Sequence, residues 1–101
     1  MQLVQTTQSA NTPVIVATAG TAITSNPARI SWSIQNLGTN ALFVLLGTGA
    51  STTVFHFVLK AGSGSDDGTA GAVSQEAGVI YTGDISVAGT SPRFTYLEQT
   101  P

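Results

Sequence analysis

The clearest pattern along the chain lies in residues 29–60. Ile30, Trp32 and Ile34 alternate with Arg29, Ser31, Ser33 and Gln35. That two-residue period is the signature of a strand with one face buried. Gly38 and Asn40 lie in a short polar break, which reads as a hairpin loop. The next runs lose the alternation. Leu42, Val44 and Leu46 are placed to face a core, yet Phe43 and Leu45 on the opposite face are also apolar. In residues 53–60, Phe55, Phe57 and Leu59 oppose Val54, His56 and Val58. Strands that are apolar on both faces need cover on both faces. A second subunit is the simplest cover, so Phe43, Leu45, Val54 and Val58 are the candidate oligomer contacts.

The remaining segments are short. Val14 to Ala17 follow Pro13, a position where a strand tolerates proline. Ala22 to Thr24 form another strand, closed by Ser25, Asn26 and Pro27. Residues 61–71 are rich in Gly and Ser and form a loop that is long for so small a domain. Residues 72–76 read as a weak strand. Val79, Tyr81, Ile85 and Val87 share one parity, interrupted at Gly83, and residues 93–98 give a last strand carrying Phe94 and Tyr96. No useful helical period is present. About eight short antiparallel strands at this spacing predict an all-β, jelly-roll-like β-sandwich over residues 13–101. Residues 1–12, rich in Gln, Thr and Ser, read as an N-terminal arm that either pairs at a sheet edge or stays loose.

Composition sharpens this. The chain has 101 residues, enough for one domain. Hydrophobic residues make up 42% but charged residues only 8%, against about 25% in ordinary domains. A polar but uncharged surface is poorly protected against association and suits a protein that works inside an assembly. Three basic residues, with a net charge of −2, cannot build a phosphate-tracking patch, so neither nucleic acid nor an anionic membrane is an expected partner. The absence of cysteine removes disulfides, thiolate metal sites and thiol nucleophiles together. The first eight residues lack a basic region and an apolar core, so no signal peptide is expected.

Candidate chemistry is sparse. His56, the one histidine, alternates with Val54 and Val58; a base needs an orienting partner and a metal needs more ligands, so it reads as structural. Asp66, Asp67 and Gly68 could offer oxygens to calcium, but lack the spacing of an EF-hand loop; a turn with its side chains capping backbone amides is the stronger reading. No nucleophile elbow is present. Glu76, Asp84 and Glu98 have no spacing that pairs two of them for glycoside hydrolysis. Trp32 with Tyr81 or Tyr96 could form a sugar-stacking platform, although its alternation with Ile30 and Ile34 argues for the core. The expectation is a non-enzyme with no catalytic, cofactor or metal site.

Four stretches carry a resemblance: residues 36–44, residues 51–60 with Phe55 and His56, residues 65–69, and residues 81–90. Together they resemble small structural proteins of tailed bacteriophages, above all the capsid decoration, or cement, proteins. That resemblance implies a small all-β protein, often a homotrimer, which binds the outer surface of the shell through the major capsid protein and stabilises it. It also implies synthesis in the host bacterial cytoplasm and a place on the virion exterior. On this reading Gln2, Leu3, Val4 and Gln5 of the arm are expected to contact the shell by adding a strand to an exposed edge. The alternative is a glycan-binding module, lectin-like or of the head-fibre kind.

Overall fold

A computed structural model describes residues 8–75 and 80–101. These residues form nine strands and no helix: β1 (Ser9–Ala10), β2 (Ile15–Val16), β3 (Gly20–Ile23), β4 (Ser31–Asn36), β5 (Leu42–Leu46), β6 (Phe57–Leu59), β7 (Ala72–Ser74), β8 (Ile85–Ala88) and β9 (Phe94–Thr100). They make two antiparallel sheets in a sandwich-like arrangement. Sheet I has the order β1-β9-β4-β7, with β2 also pairing β9; sheet II has the order β3-β8-β5-β6.

The all-β sandwich character expected from the sequence is what the chain adopts. In β4 burial alternates strictly: Trp32, Ile34 and Asn36 are buried, while Ser31, Ser33 and Gln35 are half-buried. Leu42 and Val44 of β5, Leu59 of β6, Ile85 and Val87 of β8, and Phe94 of β9 complete the core with Ile23. Trp32 is 3% exposed, so it belongs to the core and is closed to a stacking sugar. Tyr81 and Tyr96 also pack against this cluster.

Asn36 is a polar group on the core-facing parity. Its Nδ2 donates to the carbonyls of Asn40 (2.9 Å) and Lys60 (3.1 Å), and its Oδ1 accepts from Gly38 N (3.0 Å). A buried amide is tolerable only when satisfied in this way. It ties the turn after β4 to the end of β6. Gly71 packs against the same place: a Cβ there would lie 2.7 Å from Lys60 N, so only glycine allows the approach.

Three local expectations fail, each for a physical reason. The alternation puts Arg29 with Ser31 and Ser33 on the outer face. Arg29 lies instead in the turn before β4, where its N–H donates to Asn26 O (3.0 Å), and off the strand its side chain turns inward. The strand expected over residues 53–60 is cut to β6, because Ser51 Oγ accepts from Thr53 N (3.2 Å) and Val54 N (3.0 Å) and holds a turn. The run before Ile85 is not a strand either: Tyr81 and Gly83 give their carbonyls to Arg29, and Thr82 O accepts from Asn26 N. Glu76 and Val79 lie outside the described residues.

Candidate functional site

The outer face of sheet II is built by parity. With Leu42 and Val44 committed to the core, Phe43 and Leu45 must point away from it, and both are half-buried. Phe43 stands opposite Val58 on one side and Ala88 on the other; Leu45 stands opposite Ser86. The loop between β5 and β6 folds over part of this face. Ala50 N donates to Ser86 Oγ (3.0 Å), which leaves Ser86 only 1% exposed. Phe55 lies on Phe43 with ring centroids 5.0 Å apart and planes tilted by 59°. The chain therefore supplies some of the second cover itself. That cover is incomplete, since Val54 is 51% exposed, Val58 50% and Phe55 38%.

Of the four expected oligomer contacts, Phe43 and Val58 are cross-strand neighbours, Leu45 lies two residues along the same face from Phe43, and Val54 sits in the turn beside Phe55. The alternation assigns Phe55 itself inward, with Phe57 and Leu59, and the structure corrects that. The sequence signal for its true place is Ser51 followed by two threonines, which offers the backbone a hydroxyl-capped turn in place of a strand. Gln2, Leu3, Val4 and Gln5 lie outside the described residues.

Charge is distributed unusually. Among the described residues, neither broad face of the sandwich carries an ionised side chain. Lys60, Asp66, Asp67 and Arg93 cluster at one end of β4 and its neighbours; Arg29, Asp84 and Glu98 lie toward the other. Arg29 is a buried bolt. Its Nε meets Glu98 Oε2 at 2.8 Å, and its two terminal nitrogens donate to the carbonyls of Thr24 (2.7 Å), Tyr81 (2.8 Å) and Gly83 (3.0 Å). Glu98 faces inward across from Trp32, so the contact ties β9 of sheet I to the loops flanking β3 and β8 of sheet II.

At the opposite end, Asp66 and Arg93 make a two-pronged exposed pair (2.8 and 2.6 Å). The guanidinium holds the Asp66 carboxyl below its ordinary pKa. Asp67 is lowered too, first by the Thr69 hydroxyl and then by the Thr69 N–H, which it caps at 3.0 Å. Both carboxylates thus have protein partners, as a capped turn requires. Asp66 takes a left-handed φ of 59°, which Asp tolerates better than most residues. His56 Nδ1 accepts from Leu46 N (3.0 Å) and its own backbone N–H donates to Val44 O (2.7 Å), so the ring closes the end of β5. Among the described residues no three His, Asp or Glu side chains gather as a metal-binding group.

Sheet I offers a second surface. Ser33, Gln35, Thr95 and Leu97 lie on its outer face, and the segment from Asn11 to Ile15 runs along the edge of β9 beside them. Two adjoining hollows of about 270 and 470 Å³ result. Sequence reasoning missed this groove; its signal was Leu97, an apolar residue on the same parity as Thr95 and Gln99. Neither a family model, nor a characterised protein, nor a solved structure matches this chain.

Proposed function

We propose that this chain is a non-catalytic structural protein of a bacteriophage virion, which self-associates as a homotrimer and binds the outside of the shell, stabilising it. One observation carries the reading: among the described residues the outer face of sheet II is apolar and without an ionised strand side chain, and its own loop leaves Val54, Phe55 and Val58 open. Covering such side chains contributes roughly 1 kcal/mol for each half-exposed residue, taking about half the value for full burial. Three such faces meeting about an axis would gain from it at every contact.

The strand orders support a jelly-roll reading. In sheet I the first strands flank the last, followed by β4 and β7; in sheet II β3 flanks β8, followed by β5 and β6. This is the order produced when one long hairpin of paired strands rolls up so that the chain crosses between sheets at every step except β1 to β2 and β5 to β6. The resemblance to decoration proteins agrees with such a body. The mechanism is mass action: a ligand that binds only the assembled shell stabilises it by its binding free energy, and a trimer spanning several shell subunits multiplies a modest contact.

The test is cosedimentation of the purified protein with shells that lack it, at low and high salt, followed by heating of the loaded shells. Binding that persists at high salt, with a raised disruption temperature, supports the reading, because charge-free faces leave little to screen. Failure to bind any shell, together with saturable binding to an immobilised glycan, would replace it with the glycan-binding alternative.

A further inference from the structure

The groove on sheet I is distinct from the apolar face of sheet II and lies on the opposite side of the sandwich. Its floor holds Leu97, 38% exposed, among Ser33, Gln35 and Thr95; its wall is Pro13 and Ile15, the latter 52% exposed. Among the described residues no lining residue is charged. It therefore suits a short extended segment that brings an aliphatic side chain for the floor and neutral amides or hydroxyls for the rim.

The chain itself supplies that chemistry. The seven residues before Gln8 read Met-Gln-Leu-Val-Gln-Thr-Thr, with two aliphatic residues between glutamines and no charge. An extended segment of that length spans up to about 23 Å. Its point of departure decides which groove it can reach. Strand β1 is antiparallel to β9, with Ser9 opposite Thr100 and Ala10 opposite Gln99. Followed backwards toward residue 1, the chain at Gln8 is heading past the end of β9, away from Thr95 and Leu97. A return to its own groove needs a tight reversal, and residues 1–8 contain no Gly, Pro, Asn, Asp or Ser to make one. We propose that the N-terminal residues 1–7 seat in the sheet I groove of a second copy of this chain, with Leu3 or Val4 over Leu97 and the glutamine amides bonded to Ser33, Gln35 and Thr95. Sequence alone directs these residues to a shell; the groove gives them a receptor on the protein itself. The contact uses a surface separate from the sheet II face, and a seven-residue segment is too small an interface to hold copies together once that face is disrupted.

The absence of cysteine makes this directly testable by disulfide trapping. Full-length Leu97→Cys protein is mixed with separately tagged full-length Leu3→Cys or Val4→Cys protein and oxidised. Two arm positions are used because neighbouring residues of an extended segment point to opposite sides. The expected result is a linked pair of differently tagged chains, several-fold more abundant than in a mixture where Thr21→Cys, exposed on β3 of the other sheet, replaces Leu97→Cys. A yield no greater than that control overturns the proposal and returns the arm to the shell. A double variant, Val4→Cys with Leu97→Cys, that closes only within one chain also overturns it, since the occupant would then be the chain's own arm. The oligomeric mass of Val58→Asp, measured in parallel, reports on the sheet II face alone, so failure of one reading is distinguishable from failure of the other.

Discussion

Replacing Arg29 by Met would remove the bolt between the sheets while keeping most of the aliphatic volume. The side chain is fully buried and donates to four oxygens, one of them the Glu98 carboxylate, whose side chain is 19% exposed. Without the guanidinium, three carbonyls and a carboxylate lose their partner. An orphaned buried carbonyl costs about 1–3 kcal/mol, and breaking a buried ion pair from one side costs about 3–5 kcal/mol. These costs overlap, because Glu98 reaches water at its edge and solvent can enter beside it. We expect a net loss of about 3–5 kcal/mol, a large share of the roughly 5–15 kcal/mol that holds an ordinary domain folded. In a chain of this size that lowers the thermal midpoint by at least about 12 °C. Arg29→Lys should recover only part, since one ammonium cannot span a fork of four acceptors. Adding Glu98→Leu to Arg29→Met should restore some of the loss by removing the stranded carboxylate. Urea titration followed by fluorescence of the single buried tryptophan, Trp32, reads all of these. A loss below about 1 kcal/mol for Arg29→Met would refute the bolt, because it is smaller than the cost of a single orphaned carbonyl at its usual size.

Three further outcomes follow from the same geometry. Gly71→Ala pushes a Cβ to 2.7 Å from Lys60 N and should destabilise by about 1–3 kcal/mol, the usual cost of overpacking; a wild-type urea midpoint would show that the β6–β7 approach gives way freely. Asp66 and Asp67 have folded pKa values depressed from 3.8, so the stability they lend is present above that value and is lost as pH falls through the lower folded values. Carboxylate-carbon NMR should show both titrating below 3.8 in the wild type and Asp67 alone in Asp66→Asn; titration at or above 3.8 removes the Arg93 and Thr69 contacts from the account. Val58→Asp, at a site 50% exposed in the single chain, should leave the fold intact and abolish self-association, since an unpaired charge buried at a contact costs several kcal/mol; folded Val58→Asp with wild-type mass would take Val58 out of the contact.

The core was legible wherever one face of a strand was polar. Trp32 and Ile34 stand out against Ser31, Ser33 and Gln35, and the alternation carries through to the buried Asn36. The period also puts Leu42 and Val44 where the structure has them, although Phe43 and Leu45 blur it there. Pattern failed where a side chain competed with the ladder. Ser51 captures two backbone amides and so moves Phe55 from the expected inner face onto Phe43. Arg29 and β1 were illegible for another reason: their partners are distant in sequence. Arg29 is fixed by Glu98 and by residues 81 and 83, and the chain just after β1 is fixed by Asn11, whose side chain accepts from Glu98 N at 2.7 Å and donates to Tyr96 O at 3.2 Å. Such contacts leave no periodic trace. The apolar surplus on sheet II was visible in the sequence, but its partial cover by the chain's own loop was not.

The most direct test of the central claim is sedimentation equilibrium of the unmodified protein beside Val58→Asp. The expected result is an assembly, three chains of 10.3 kDa each, that persists at high salt and falls to single folded chains in the variant. An unmodified protein that stays at 10.3 kDa across the concentration range would contradict it, because the open apolar face of sheet II would then need no second copy to cover it.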